Sequence, residues 1–184
     1  MDLGTGDGRL PYTLAARHAD RLFIGVDANA SALRELSGRA FRARTANLLY
    51  VRAAVEALPP ELGGLADCVT VVLPWGSLLA AVARPSPEAL RAVRGLCRPG
   101  ATLTVLLGVD AARDRGQAVR LGLPALDAAH LRGPLAAGYA AAGFDIESVA
   151  PIAPSQLARW PSTWARRLAH GDVRPFFQVE ARAL

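Results

Sequence analysis

Glycines and carboxylates near the start of the chain are spaced as a small, hydroxyl-bearing ligand would need them. Asp2-Leu3-Gly4-Thr5-Gly6-Asp7-Gly8 reads as a strand end, a glycine turn and the opening of a helix. Such a turn requires residues that tolerate left-handed backbone angles and let a ligand approach the main chain closely. Asp27 closes the next apolar run, Phe23-Ile24-Gly25-Val26-Asp27. That is about twenty residues on, where an acid accepts hydrogen bonds from ribose hydroxyls. Glu56 follows a third run, in Ala53-Ala54-Val55-Glu56-Ala57-Leu58-Pro59, and falls along the same carboxyl edge of a sheet. A dinucleotide fingerprint would put its third glycine at position 9, which is Arg9, so NAD loses ground. Acids at Asp2 and Asp7 suit a ligand carrying an ammonium and a sulfonium and would repel phosphates. Asp2, Gly4, Gly6, Asp27 and Glu56 thus point to an adenosine-type cofactor of the S-adenosylmethionine kind.

A second constellation is aromatic. Leu73-Pro74-Trp75-Gly76-Ser77 follows the fourth strand, on that same edge. Amino-methyltransferases of similar fold place an Asn/Asp-Pro-Pro-aromatic motif there, whose polar side chain holds an exocyclic amine. Leu73 can accept through its backbone only, which favours a ring nitrogen as the target. Trp75 on a loop either packs in the core or meets a flat ligand. Trp164 lies in Ser162-Thr163-Trp164-Ala165-Arg166-Arg167-Leu168. Paired indoles can hold an extruded base, each stack contributing roughly 1–3 kcal/mol. Core packing is the competing reading for Trp164 and the stronger one for Trp160.

These residues need a scaffold. Short apolar, β-branched runs alternate with segments of helical length, the pattern of a parallel sheet covered by helices. Strands are expected at 22–26, 48–52, 68–73, 102–108, 145–150 and 176–181, and helices at 12–19, 30–41, 87–96 and 134–142. Arg98-Pro99-Gly100 reads as a stop and turn, and residues 110–132 as a long loop with room for one helical turn. The strand feeding the glycine turn has only Met1-Asp2-Leu3 available, so a truncated first strand is expected, from a trimmed chain or a start codon further upstream.

With 184 residues, 52% of them hydrophobic, one domain spanning 1–184 is expected. No apolar run reaches membrane-spanning length, and no signal peptide opens the chain, which implies a cytoplasmic protein without a membrane partner. Cys68 and Cys97 show no pairing pattern, and His18, His130 and His170 are scattered, so no metal site is expected. The net charge is +5, and all 21 basic residues are Arg. Excess positive charge favours a polyanionic partner.

At Asp2–Gly8, Phe23–Asn29, Ala53–Pro59, Leu73–Leu79 and Ser162–Leu168 the chain resembles the 16S ribosomal RNA adenine-1408 N1-methyltransferases that confer aminoglycoside resistance. Pro-Trp-Gly-Ser and Ser-Thr-Trp-Ala-Arg-Arg are the most discriminating segments. The resemblance implies a Rossmann-like class I methyltransferase, α/β, with a mostly parallel sheet of the seven-stranded type. It implies that Asp2, Gly4, Thr5, Gly6, Asp27, Ala28, Ala54, Val55, Glu56, Val72, Leu73 and Ser77 contact the cofactor. Trp75 and Trp164 would be the catalytic pair sandwiching a flipped adenine, with Pro74, Ser77 and Ser162 lining the pocket. Arg39, Arg42, Arg44, Arg167 and Arg174 would meet the RNA backbone. The implied partner is 16S rRNA within the 30S subunit, and the implied oligomeric state a monomer. Family members begin with an N-terminal hairpin and a full first strand, for which this sequence has no counterpart.

In-line methyl transfer to N1 needs no general base, because that nitrogen already holds a free lone pair; orientation and exclusion of water would supply the catalysis. The glycine turn alone leaves open a methyltransferase acting on tRNA or a small molecule, and a non-catalytic cofactor- or RNA-binding relative.

Overall fold

The computed structural model describes residues 1–85, 87–110, 113–170 and 174–184. Among the described residues, seven strands run in chain order as β1 (Asp2–Leu3), β2 (Phe23–Asp27), β3 (Leu48–Arg52), β4 (Ala66–Val72), β5 (Cys97–Gly108), β6 (Phe144–Ile152) and β7 (Phe176–Ala183). They form one sheet in the order β3-β2-β1-β4-β5-β7-β6. The first five pair in parallel, whereas β7 lies antiparallel between β5 and β6. The short β1 is central: Asp2 pairs with Gly25 on one side and Thr70 on the other.

Side-chain alternation along the buried strands assigns the two faces. Leu103, Val105 and Leu107 of β5 enter the main core. There they join Leu79 and Val82 of α3 (Gly76–Ala83), Leu90 and Val93 of α4 (Pro87–Leu96) and Tyr139 of α7 (Ala136–Ala141). Leu106 points the other way, into a separate cluster with Leu73, Leu157, Phe176, and Ala165 and Leu168 of a helix at Thr163–Leu168. Towards the β3 edge a third cluster joins Ala15 of α1 (Arg9–Arg17) to Ala40 of α2 (Ala30–Arg42) and Leu48.

The strands and α2 and α4 lie close to their expected bounds, and the differences have local causes. Helix α1 begins three residues earlier than the sequence suggested, because Gly8 takes a left-handed conformation and one Asp7 oxygen accepts from the Arg9 N–H, starting the helix at once. Strand β5 starts at Cys97, so Arg98-Pro99-Gly100 lies within it; the turn survives as a register shift and a left-handed Gly100. The loop expected over 110–132 is largely helical where it is described, residues 111 and 112 lying outside the described set. It holds α5 (Arg115–Leu121), closed by left-handed Gly122, and the short α6 (Ala128–His130), capped by Asp127. The helix expected from 134 is α7 (Ala136–Ala141), preceded by a wide π turn, Leu131–Leu135, which contains Pro134. Proline carries no N–H to close an ordinary turn. The helix at Thr163–Leu168 is α8. Among the described residues, no helix is long and apolar enough to cross a membrane.

Candidate active site

The carboxyl ends of β1, β2, β3 and β4 open onto one cleft of about 520 Å³. Its walls include Gly4, Thr5, Gly6 and Asp7 from the first turn, Asp27, Ala28 and Asn29 from the second, and Ala54 and Val55 from the third. Val72, Leu73, Pro74, Trp75 and Ser77 enter from the fourth, and Ser162, Thr163 and Trp164 from the start of α8. Open parallel sheets bind ligands at this edge, where strands end and helices begin.

The glycine turn is held by Asp27. One oxygen of its carboxylate accepts from the Gly6 N–H at 2.7 Å and the other from the Asn29 N–H at 2.8 Å, tying the turn to the start of α2. Two of the turn glycines are favoured by both backbone conformation and space. A Cβ on Gly4, whose φ is +67°, would stand 2.6 Å from Leu78 Cδ2, and one on left-handed Gly8 would overlap the Tyr50 ring. The buried Thr5 hydroxyl lies beside Asp2 and makes no well-formed hydrogen bond to protein. An unsatisfied hydroxyl on the wall is a group for a polar ligand to complete.

Trp75 is 45% exposed, and its ring centroid stands 6.2 Å from that of Trp164 with 67° between the planes. The sandwich expected from the sequence is therefore an edge-to-face pair. Holding a flat ring between parallel faces takes about 7–8 Å, twice the best carbon–carbon separation, so one indole must turn to admit a base. Leu73 has φ +50°, one of two left-handed non-glycine residues among those described, in the turn that delivers Trp75. Such strain costs roughly 1–2 kcal/mol and collects at functional sites. Arg167 lies over the Trp164 ring, 5.8 Å from its centroid.

Two expected cofactor positions, Asp2 and Glu56, lie outside the cleft. Asp2 is not on the rim: it is 5% exposed, packed behind the turn, and accepts from the Thr70 hydroxyl at 2.7 Å. Glu56 points to solvent from a 3-10 turn whose neighbours Ala54 and Val55 do line the cleft. A strand-end acid can lie on either side of a single turn, and its spacing alone does not fix which. Arg174 pairs with Asp114 at 3.3 Å, both side chains about nine-tenths buried, which leaves little of it to meet RNA. Arg39, Arg42 and Arg44 are exposed on and just beyond the last turn of α2, with Arg39 over Tyr12. Asn29 and Thr163 line the cleft without having been singled out; Asn29 was legible as the helix cap it is, accepting from the Ser31 N–H. Among the described residues, no three His, Cys, Asp or Glu side chains are gathered as a metal site.

Burial raises the Asp2 pKa to about 6. Below pH 3.8 both folded and unfolded chains hold this proton; between there and 6 only the folded chain does, so stability falls as pH rises through the window. The full span is worth about 3 kcal/mol at 1.36 kcal/mol per pKa unit. Asp2→Asn keeps the acceptor for Thr70 and never ionises. It is expected to raise the melting temperature at pH 7 and to flatten its pH dependence between 4 and 6, as thermal melts at several pH values will show.

The strand order with its antiparallel seventh strand, together with a glycine-and-acid cleft at the carboxyl edge, defines a class I methyltransferase. Comparison with known proteins narrows the class. The family model described as NpmA, 16S rRNA (adenine(1408)-N(1))-methyltransferase, matches residues 1–183. The 16S rRNA (adenine(1408)-N(1))-methyltransferase of Streptoalloteichus tenebrarius is 38% identical over 173 residues, 91% of this chain and 79% of that protein. The protein of the same name from Escherichia coli is 33% identical over 184 residues, 97% of this chain and 84% of that protein. A crystal structure of the W203A mutant of such an enzyme from Catenulisporales acidiphilia, with cosubstrate SAM, superposes with a TM-score of 0.87. It is 32% identical, and the match covers all of this chain and 84% of that one. The chain belongs to the 16S rRNA (adenine(1408)-N(1))-methyltransferase family.

Proposed function

We propose that this chain transfers a methyl group from S-adenosylmethionine to N1 of adenine 1408 of 16S rRNA in the 30S subunit, and that the modification gives aminoglycoside resistance. The observation that carries this reading is one cleft joining the Asp27-anchored glycine turn to the Trp75–Trp164 pair. Gly4, Thr5, Gly6, Asp27, Ala28, Ala54, Val55, Val72, Leu73 and Ser77 would hold the cofactor, which supplies an electrophilic methyl group when bound. Asp27 retains acceptor capacity beyond its two backbone partners for ribose hydroxyls, and the Thr5 hydroxyl gains a partner. Asp2 acts from behind the turn and Glu56 from outside the cleft wall.

Trp75 and Trp164 stack on the target adenine, exclude water from N1 and stabilise by cation–π attraction the positive charge the base acquires. Pro74 and Ser162 close the pocket around them. No side chain has to remove a proton, since N1 attacks through its own lone pair. Arg39, Arg42, Arg44 and Arg167 position the enzyme on phosphates, with recognition resting on the shape of the folded RNA. The protein works as a cytoplasmic monomer, with residues 1–184 as one domain. The test is primer extension on 16S rRNA after incubating 30S subunits with the protein and S-adenosylmethionine. A new stop at adenine 1408 is expected; its absence with folded protein overturns the reading.

Arg44 carries a local sign of this function. It is the other left-handed non-glycine residue among those described, at φ +53°, where the Arg44 and Thr45 N–H groups donate to the Phe41 and Ala40 carbonyls and close α2. Helices usually end this way on glycine. Arg44→Gly is expected to relieve about 1 kcal/mol of backbone strain, raising the melting temperature, while weakening 30S binding and reducing its log-salt slope by about one. Filter binding at several salt concentrations beside a thermal melt measures both.

A further inference from the structure

The two apolar clusters on the α8 side of the sheet share no residue: α8 packs with β5 and β7, while α1 packs with α2 and β3. A closed set of polar contacts bridges them. The Thr163 hydroxyl donates to one Asp7 oxygen at 2.6 Å and accepts from Arg9 Nε at 3.0 Å, and Arg9 Nε lies 3.6 Å from that same Asp7 oxygen. The other Asp7 oxygen accepts from the Arg9 N–H at 3.1 Å and so starts α1. Asp7 belongs to the glycine turn and faces the cleft between Gly6, held by Asp27, and Gly8, whose carbonyl accepts from the Tyr50 hydroxyl. Thr163 opens α8 and immediately precedes Trp164.

We propose that Asp7, Arg9 and Thr163 form a clasp that fixes the start of α8 to the glycine turn and thereby sets where Trp164 stands relative to the methyl donor. This rests on the function proposed above and adds three positioning residues to it. Helix α8 is only six residues long, and isolated helices of that length do not persist in water, so its placement depends on contacts beyond its own backbone. The edge-to-face indoles add a reason: one ring must rotate to admit a base, and a rotating Trp164 keeps its register only if the backbone beneath it stays put. Misplacing a stacking group by an ångström or less is enough to cost rate through lost orientation.

The clasp lies partly in solvent, so its effect should appear in positioning far more than in global stability. The test compares Thr163→Val, which keeps the shape and removes the hydroxyl, with Thr163→Ser, which keeps the hydroxyl. In protein without cofactor, hydrogen exchange of the α8 amides is expected to quicken at least several-fold in Thr163→Val and to stay near wild type in Thr163→Ser. With 30S subunits, Thr163→Val is expected to lose about five- to tenfold in kcat with little change in KM for S-adenosylmethionine, and Thr163→Ser to recover most of it. Asp7→Ala combined with Thr163→Val should lose less than the product of the two single losses, because both variants break the Asp7–Thr163 contact. Unchanged α8 exchange in Thr163→Val, equal damage from Thr163→Ser, or strictly multiplicative losses in the double variant would each overturn the clasp. A wild-type protein that leaves adenine 1408 unmodified would instead overturn the function, and the exchange measurement would still judge the clasp.

Discussion

Trp75→Ala and Trp164→Ala are each expected to lower methyl transfer to the 30S subunit by roughly ten- to a hundredfold, and the double variant by about a thousandfold. Each stack on a base is worth roughly 1–3 kcal/mol, and every 1.36 kcal/mol is a factor of ten in rate. On the proposed function the losses fall on transfer, because the indoles would grip the extruded base, whereas the Asp27–Gly6 contact that shapes the proposed cofactor site remains intact. Calorimetric affinity for S-adenosylmethionine is therefore expected to stay within a few-fold of wild type. The two variants differ in stability as well. Trp75 is about half exposed at the mouth of the cleft and belongs to none of the three core clusters, so its removal should lower the melting temperature less than that of Trp164. Trp164 packs against the cluster of Leu73, Leu106 and Phe176, and its truncation should lower the melt by a few degrees. Trp→Phe at either site retains a stacking face and should recover most of the rate. Two alanine variants that still stop reverse transcriptase at wild-type speed would remove the indoles from the mechanism.

The sequence disclosed this site unevenly, and the unevenness follows from which interactions are local. Asp2–Gly8 and Asp27 were legible because glycine spacing and a strand-terminal acid are written in adjacent residues. The convergence of Trp75 with Trp164, nearly ninety positions apart, rested on family resemblance, and only the folded cleft, walled by both, shows the end of β4 and the start of α8 meeting at one rim. The angle between the rings was not legible at all, since it depends on rotamers packed against Leu73 and its neighbours. Asp2 and Glu56 show a similar limit. Both stand at strand ends, yet pairing with Thr70 draws one inward, while a 3-10 turn throws the other outward. Arg174 looked like a phosphate contact because nothing in its own surroundings reveals Asp114, sixty residues earlier, as its buried partner. Helices were missed where they are short: α5, α6 and α8 hold seven, three and six residues, too few for a periodic pattern to separate them from loop. Thr163 is illegible in the sequence for another reason: its hydroxyl meets Asp7 and Arg9 only when α1 lies beside α8.

Asp27→Ala is expected to weaken S-adenosylmethionine binding by about a hundredfold or more, the largest effect at any single cofactor position. The carboxylate has two duties that a neutral side chain cannot fill. It accepts the Gly6 and Asn29 N–H groups, and hydrogen bonds to a charged acceptor contribute about 1.5–3 kcal/mol each. Losing them frees the glycine turn from the start of α2, so the cofactor must order a loop that the folded protein now holds ready, a cost charged against affinity. On the proposed function the same carboxylate would accept from ribose hydroxyls, and its removal would leave those hydroxyls unpaired. Asp27→Asn separates the two duties. Its amide oxygen can still accept one backbone N–H, while its NH2 group opposes the other, so binding should fall between wild type and Asp27→Ala. Titration calorimetry on protein alone, without ribosomal subunits, measures the series free of any effect on RNA binding, with a thermal melt to confirm folding. An Asp27→Ala protein that is folded and binds the cofactor as tightly as wild type would mean that the glycine turn is held by something other than this carboxylate, and would move the methyl-donor site away from the cleft that Asp27 shares with the two indoles.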